Sequence, residues 1–123
     1  MNEDTLNRLR VICLALPEAT EGGGVGSPSF RVRDKIFSHP APPGTRHGVN
    51  GRPSMWCKAP PGVQQVLVGS NPDRFFVPPY VGCHSWVGMW LDVAIDWEEV
   101  ADLVEESYRM TAPKRLTARI EPR

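Results

Sequence analysis

The sequence predicts a two-layer α+β domain: an antiparallel five-stranded sheet with helices on one face. Three observations carry this. Short alternating apolar and polar runs follow one another directly, as hairpin-linked strands do, instead of each leading into its own helix. Amphipathic stretches of helical period stand at both ends of the chain. Thirteen prolines and eleven glycines in 123 residues gather between these segments and mark them off as bounded elements. That length suits one domain, taken as residues 1–123, in the order helix, three strands, helix, two strands, helix.

The first helix is expected over residues 4–16, where Leu6, Leu9, Ile12, Cys13 and Leu16 recur at spacings of three and four. Asn2 or Asp4 can cap its start, and Pro17 ends it. Cys13 lies within the stripe and reads as a small core residue. Residues 17–28 read as a flexible connector. Gly22-Gly23-Gly24-Val25-Gly26 invites comparison with a phosphate loop, but it lacks the spacing, the Lys-Ser/Thr pair and a preceding apolar strand.

Residues 29–33 alternate strictly, and residues 35–39 form their hairpin partner across a turn near Asp34. A long loop over 40–53 leads to a third strand at 54–58. Pro60-Pro61-Gly62 then opens a short helix with Val63, Val66 and Leu67 on one side. After the turn Asn71-Pro72-Asp73, residues 74–77 and 86–92 supply two more strands. For the last helix, Asp96 is the N-cap and Glu99 stands at the capping-box position. Ile95 and Val100 form the flanking staple, and Val100, Leu103, Val104, Ser107 and Tyr108 make the buried stripe. Pro113 stops this helix, and a basic tail begins at about residue 114.

Composition excludes several classes. Lys plus Arg and Asp plus Glu number 14 each, which argues against a highly charged disordered chain. No apolar run approaches the ~18 residues of a membrane span, and the acidic, polar start is unlike a signal peptide. The expected setting is the cytoplasm, without a membrane partner. Cys13, Cys57 and Cys83 are odd in number and far apart, and His39, His47 and His84 lie in separate segments, so neither a disulfide framework nor a metal site is expected. No cofactor is implied. The zero net charge conceals a separation: residues 31–74 carry +5 and residues 75–108 carry −7.

Several segments, in order, carry a resemblance. They are Leu16-Pro17-Glu18-Ala19-Thr20-Glu21, Phe30-Arg31-Val32-Arg33-Asp34-Lys35-Ile36-Phe37, and Arg74-Phe75-Phe76-Val77-Pro78-Pro79-Tyr80-Val81-Gly82 leading to Ser85-Trp86-Val87-Gly88. Leu91-Asp92 and Asp96-Trp97 then lead to Tyr108-Arg109-Met110-Thr111-Ala112-Pro113-Lys114-Arg115. Together they resemble the MmcQ/YjbR family, over nearly the whole chain from Leu6 to about Leu116. The resemblance implies an α+β fold similar to type III secretion chaperones, together with DNA binding, and it brings no catalytic activity or cofactor. The sequence departs from the family's pattern at Cys83-His84-Ser85, where a basic residue is expected before the tryptophan. His84 there is a weaker, pH-dependent substitute.

Strand alternation places Phe30, Val32, Met55, Cys57, Val87, Met89 and Leu91 toward the helices. Their neighbours Arg31, Arg33, Trp56, Lys58, Trp86 and Trp90 then face outward, with Arg46, Arg52 and Arg74 on adjoining loops. Tryptophans interleaved with cations suit a nucleic-acid platform, where bases stack on rings and cations follow phosphates. Two other readings stay open. The loop at 40–53 can cover this face, making the tryptophans a second small core. The chain can also be a protein or peptide interaction module using a sheet edge. A small-ligand pocket would centre on His84 and Trp86. An enzyme based on Cys83 and His84, or on Asp92 and Asp96, lacks a complete constellation, so none is expected. A monomer or weak dimer is the expected state, and any DNA contact should be non-specific and salt-sensitive.

Overall fold

The computed structural model describes residues 3–24, 27–43, 49–79 and 81–120. Helix α1 (Glu3–Leu14) buries Leu9 and Cys13, and the chain turns away before Pro17. Asp4 lies inside the first turn rather than at the cap, and Asn2 is outside the described residues.

Among the described residues the sheet has six strands, not five. They are β1 (Thr20–Gly24), β2 (Ser27–Val32), β3 (Lys35–Ala41), β4 (Ser54–Lys58), β5 (Phe75–Phe76) and β6 (Trp86–Trp90). All neighbours are antiparallel, in the spatial order β1-β2-β3-β4-β6-β5. The additional strand is the glycine run that reads as a connector. Its partners are set by backbone register, from Thr20↔Arg31 to Gly24↔Ser27, and glycines contribute no alternating side chains to reveal it. At Gly22 the absent side chain has a use: the Arg31 side chain lies across it, with Nε 3.3 Å from where a Cβ would stand.

The β2–β3 hairpin turns through Arg33 and Asp34, both at positive φ (52° and 64°), the mirror-image turn whose twist matches the strands. Arg33 is therefore a turn residue, not the end of a strand. Between Phe30↔Ser38 and Arg31↔Ile36 the register slips by one residue, so Phe37 is extra on β3. The bulge lets consecutive residues serve one face. Phe37 meets Tyr108 edge-on at 5.4 Å, and Ser38 accepts from Cys57 Sγ. Ser107 donates its hydroxyl to the Phe37 carbonyl, tying the bulge to the last long helix.

Helix α2 (Val63–Ser70) follows Gly62, whose φ of 89° suits glycine. Val63 and Leu67 of the expected stripe pack against the core, but Val66 is 65% exposed and Gln64 is the buried residue. Gln64 Nε2 donates to the carbonyls of Gly82 and Trp86, so polar contacts join the apolar ones on the inward side. Helix α3 (Trp97–Thr111) begins as expected, with Asp96 accepting from the amides of Glu98 and Glu99 at 3.1 and 3.3 Å. The Glu99 carboxylate does not reach back toward the cap; it pairs with Arg74. The basic tail contains a short helix α4 (Lys114–Thr117), whose Leu116 is buried.

The expected inward set is correct throughout. Phe30, Val32, Met55, Cys57, Val87, Met89 and Leu91 join Leu9, Cys13, Val100, Val104, Tyr108 and Leu116 in one buried cluster. Helix α3 lies against β3 and β4, and α1 packs beside α3. None of the described helices is long and apolar enough to cross a membrane.

Candidate functional site

The face of the sheet turned away from this cluster holds the expected outward residues. Register places them in rows. One row runs from Gly22 and Ser29 past Trp56 to Gly88 and Phe76, with His39 opposite Trp56. The neighbouring row holds Thr20, Arg31 and Ile36, and on the far strands Lys58 opposite Trp86.

The aromatic part of this face is closed. Trp56 is 3% exposed and Trp90 is 6% exposed, although neither belongs to the main core cluster. The Trp56 ring lies 5.8 Å from the His39 ring, and its Nε1–H donates to Ser54, which is itself buried. Trp90 is sandwiched. Phe76 stacks on one side at 4.1 Å, and the Arg52 guanidinium stands 4.0 Å from the ring centroid. Arg52 is in turn fixed by two hydrogen bonds of 2.8 Å to the Asp92 carboxylate, which hold that carboxyl below its ordinary pKa. Phe76 can reach Trp90 because Gly88 lies beneath its ring, where any side chain would collide. The outward tryptophans thus form a second small core, and only Trp86 is partly open to solvent.

The expected cations divide into two groups. Arg74 pairs with Glu99 and lies 5.4 Å from the Phe75 ring, and Arg33 pairs with Glu18 at 3.3 Å. Arg31 and Lys58 are half-buried on the outer face, and neither has a carboxylate partner among the described residues. Arg31 Nε donates to the buried Ser29 hydroxyl at 3.1 Å, and its side chain lies over Gly22 of β1. Arg46, expected to enlarge this basic surface, lies outside the described residues. The exposed acidic residues of α3, Glu98, Asp102 and Glu106, are on the helix layer, away from the outer face.

His84 is exposed on a 3-10 turn at Gly82–His84, beside the half-buried Trp86. The structure does not describe the Cys83 side chain. Asp92 and Asp96 are occupied by Arg52 and by the helix cap respectively. Cys13 and Cys57 are buried free thiols. Burial raises both pKa values, that of Cys57 to about 12, which leaves them protonated at neutral pH. Among the described residues, no three His, Cys, Asp or Glu side chains converge as metal ligands. Sequence reasoning missed Gln64, Phe76, Asp92 as the Arg52 anchor, and Glu18. Of these only Gln64 leaves a signal, a polar residue in an otherwise apolar short helix.

The YjbR family profile matches residues 14–110. The chain belongs to the YjbR family. Two crystal structures resemble this YjbR-family fold at 18% identity each. One is Deinococcus radiodurans protein DR2400, with the family domain DUF419: TM-score 0.69, covering 85% of this chain and 76% of that one. The other is a Pseudomonas syringae protein: TM-score 0.62, covering 91% and 100% respectively. At that identity the likeness extends to the fold. No curated protein matches this YjbR-family sequence.

Proposed function

We propose that this chain binds DNA without catalysing a reaction, through phosphate contacts from Arg31 and Lys58 on the outer sheet face. The observation that carries the reading is the pairing state of the cations. These two have no carboxylate partner among the described residues; Arg31 stands on β2, and Lys58 stands on β4 opposite the partly open Trp86. The acidic surface of α3 lies on the other layer, so a polyanion approaching the sheet avoids it. Base stacking contributes little, because Trp56 and Trp90 are covered and Trp86 is the one accessible ring of the three. Binding is therefore weak, independent of sequence and dominated by phosphates.

The test is titration of labelled single- and double-stranded DNA at low and physiological salt. Affinity should fall steeply with salt, and Arg31→Glu with Lys58→Glu should abolish binding. Failure of the native chain to bind at low salt rejects the reading.

A second reading has one observation in its favour: β1 is an outermost strand with three glycines, so its backbone is open to an added strand of a peptide or protein partner. That reading predicts binding that survives high salt.

A further inference from the structure

The loop between α1 and β1, the β2–β3 turn and the C-terminal segment meet at one end of the molecule. Glu18 is at their junction. Its backbone is in the left-handed region (φ 56°), a conformation that strains a residue other than glycine. The preceding Pro17 carbonyl accepts a hydrogen bond of 2.6 Å from the buried Tyr108 hydroxyl, which fixes the loop to α3. One Glu18 oxygen lies 3.3 Å from Arg33 Nε, and the other lies 3.5 Å from both Arg33 Nη2 and Arg119 Nη1. Two guanidiniums, far apart in sequence, thus grip one carboxylate.

These contacts are long for charge-assisted bonds, and all three side chains are between 41% and 62% exposed. The carboxylate is therefore held loosely. Lys35 is exposed beside the same turn, and Lys114 and Arg115 are exposed on the helix that leads to Arg119. Asp34 is the other carboxylate on this turn, so the turn and the short C-terminal helix with Arg119 carry five cations to the one acid Asp34, besides Glu18 itself. Arg33 begins the turn directly after β2, the strand that carries Arg31, so this end adjoins the strand of the outer-face cation.

We propose that this basic end is a second phosphate site on the nucleic-acid surface, and that Glu18 is its internal counter-ion, displaced when a backbone phosphate arrives. A pair of guanidinium forks that accommodates a carboxylate also accommodates a phosphate, which brings more charge and more acceptor oxygens. Arg33 and Arg119 then bind the phosphate while Glu18 swings into solvent. The proposal rests on the DNA-binding reading above and adds a location and a competing group to it.

The experiment is fluorescence anisotropy of a labelled 20-base-pair duplex over a range of salt, with the native chain, Glu18→Gln, Arg119→Ala and the Arg31→Glu/Lys58→Glu double variant. Glu18→Gln removes the competitor and should tighten binding about five-fold at low salt, the effect of one nearby charge in water. It should also steepen the salt dependence. Arg119→Ala should weaken binding and reduce the salt slope by about one phosphate contact. If the double variant loses binding while Glu18→Gln and Arg119→Ala match the native chain, this site is rejected and the outer-face reading stands. If the native chain binds no duplex even at the lowest salt, both are rejected.

Discussion

Gly88 shows how one residue decides what the outer face can do. Its lack of a side chain lets the Phe76 ring lie on β6 and stack on Trp90, which Arg52 covers from the other side. Gly88→Ala would force the ring off Trp90. Overpacking of this kind costs ~1–3 kcal/mol, to be read from the urea midpoint, and the Trp90 environment should become more polar by fluorescence. Two thiols give a second prediction at this scale. Burial raises the pKa of Cys57 to about 12 and raises that of Cys13 too, so in a Cys83→Ser variant neither should react with a thiol reagent at pH 8 until the protein unfolds. The core role of Cys13 was legible from its place in the α1 stripe. Glu18 was not, because its two partners are 15 and 101 residues away in sequence.

Among the elements, those with a strong local signal match their expectation and those without one do not. Helix α3 has both an apolar stripe and a cap, and Asp96 does accept two amide hydrogen bonds. Asp96→Ala should cost ~1 kcal/mol, a lower thermal midpoint with the fold retained. Strand β1 carries no apolar stripe and, beyond Thr20, no β-branched residue, and it becomes a strand because β2 offers it a ladder. The expectation for helix α2 is met in part: Val63 and Leu67 of its stripe pack against the core, while Val66 meets solvent and Gln64 bonds inward to Gly82 and Trp86. The bulge at Phe37 changes which β3 residues face inward, and its source is the pairing with β2, not anything local to β3.

For the whole molecule, the Arg52–Asp92 pair joins the end of the long loop to the residues after β6 and holds a cation over Trp90. The hydrogen bond from Arg52 lowers the Asp92 pKa in the folded state. A carboxyl with a lowered folded pKa adds stability above its unfolded value, about 3.9, and that stability is lost as pH falls through the folded value. Asp92→Asn should therefore be less stable than the native chain at pH 7, with the difference shrinking below about pH 4, as followed by denaturant unfolding across pH. The sequence by itself determined the α+β class, the inward faces of β2, β4 and β6, the α3 cap and the separation of basic from acidic segments. Each of these follows from residue type at a local spacing. The tertiary structure decided that β1 is a strand, that Trp56 and Trp90 are covered while Trp86 is partly open, and that Arg33 and Arg74 are paired while Arg31 and Lys58 have no carboxylate partner among the described residues. Burial and ion pairing depend on partners brought together from distant parts of the chain, and local spacing does not encode those partners.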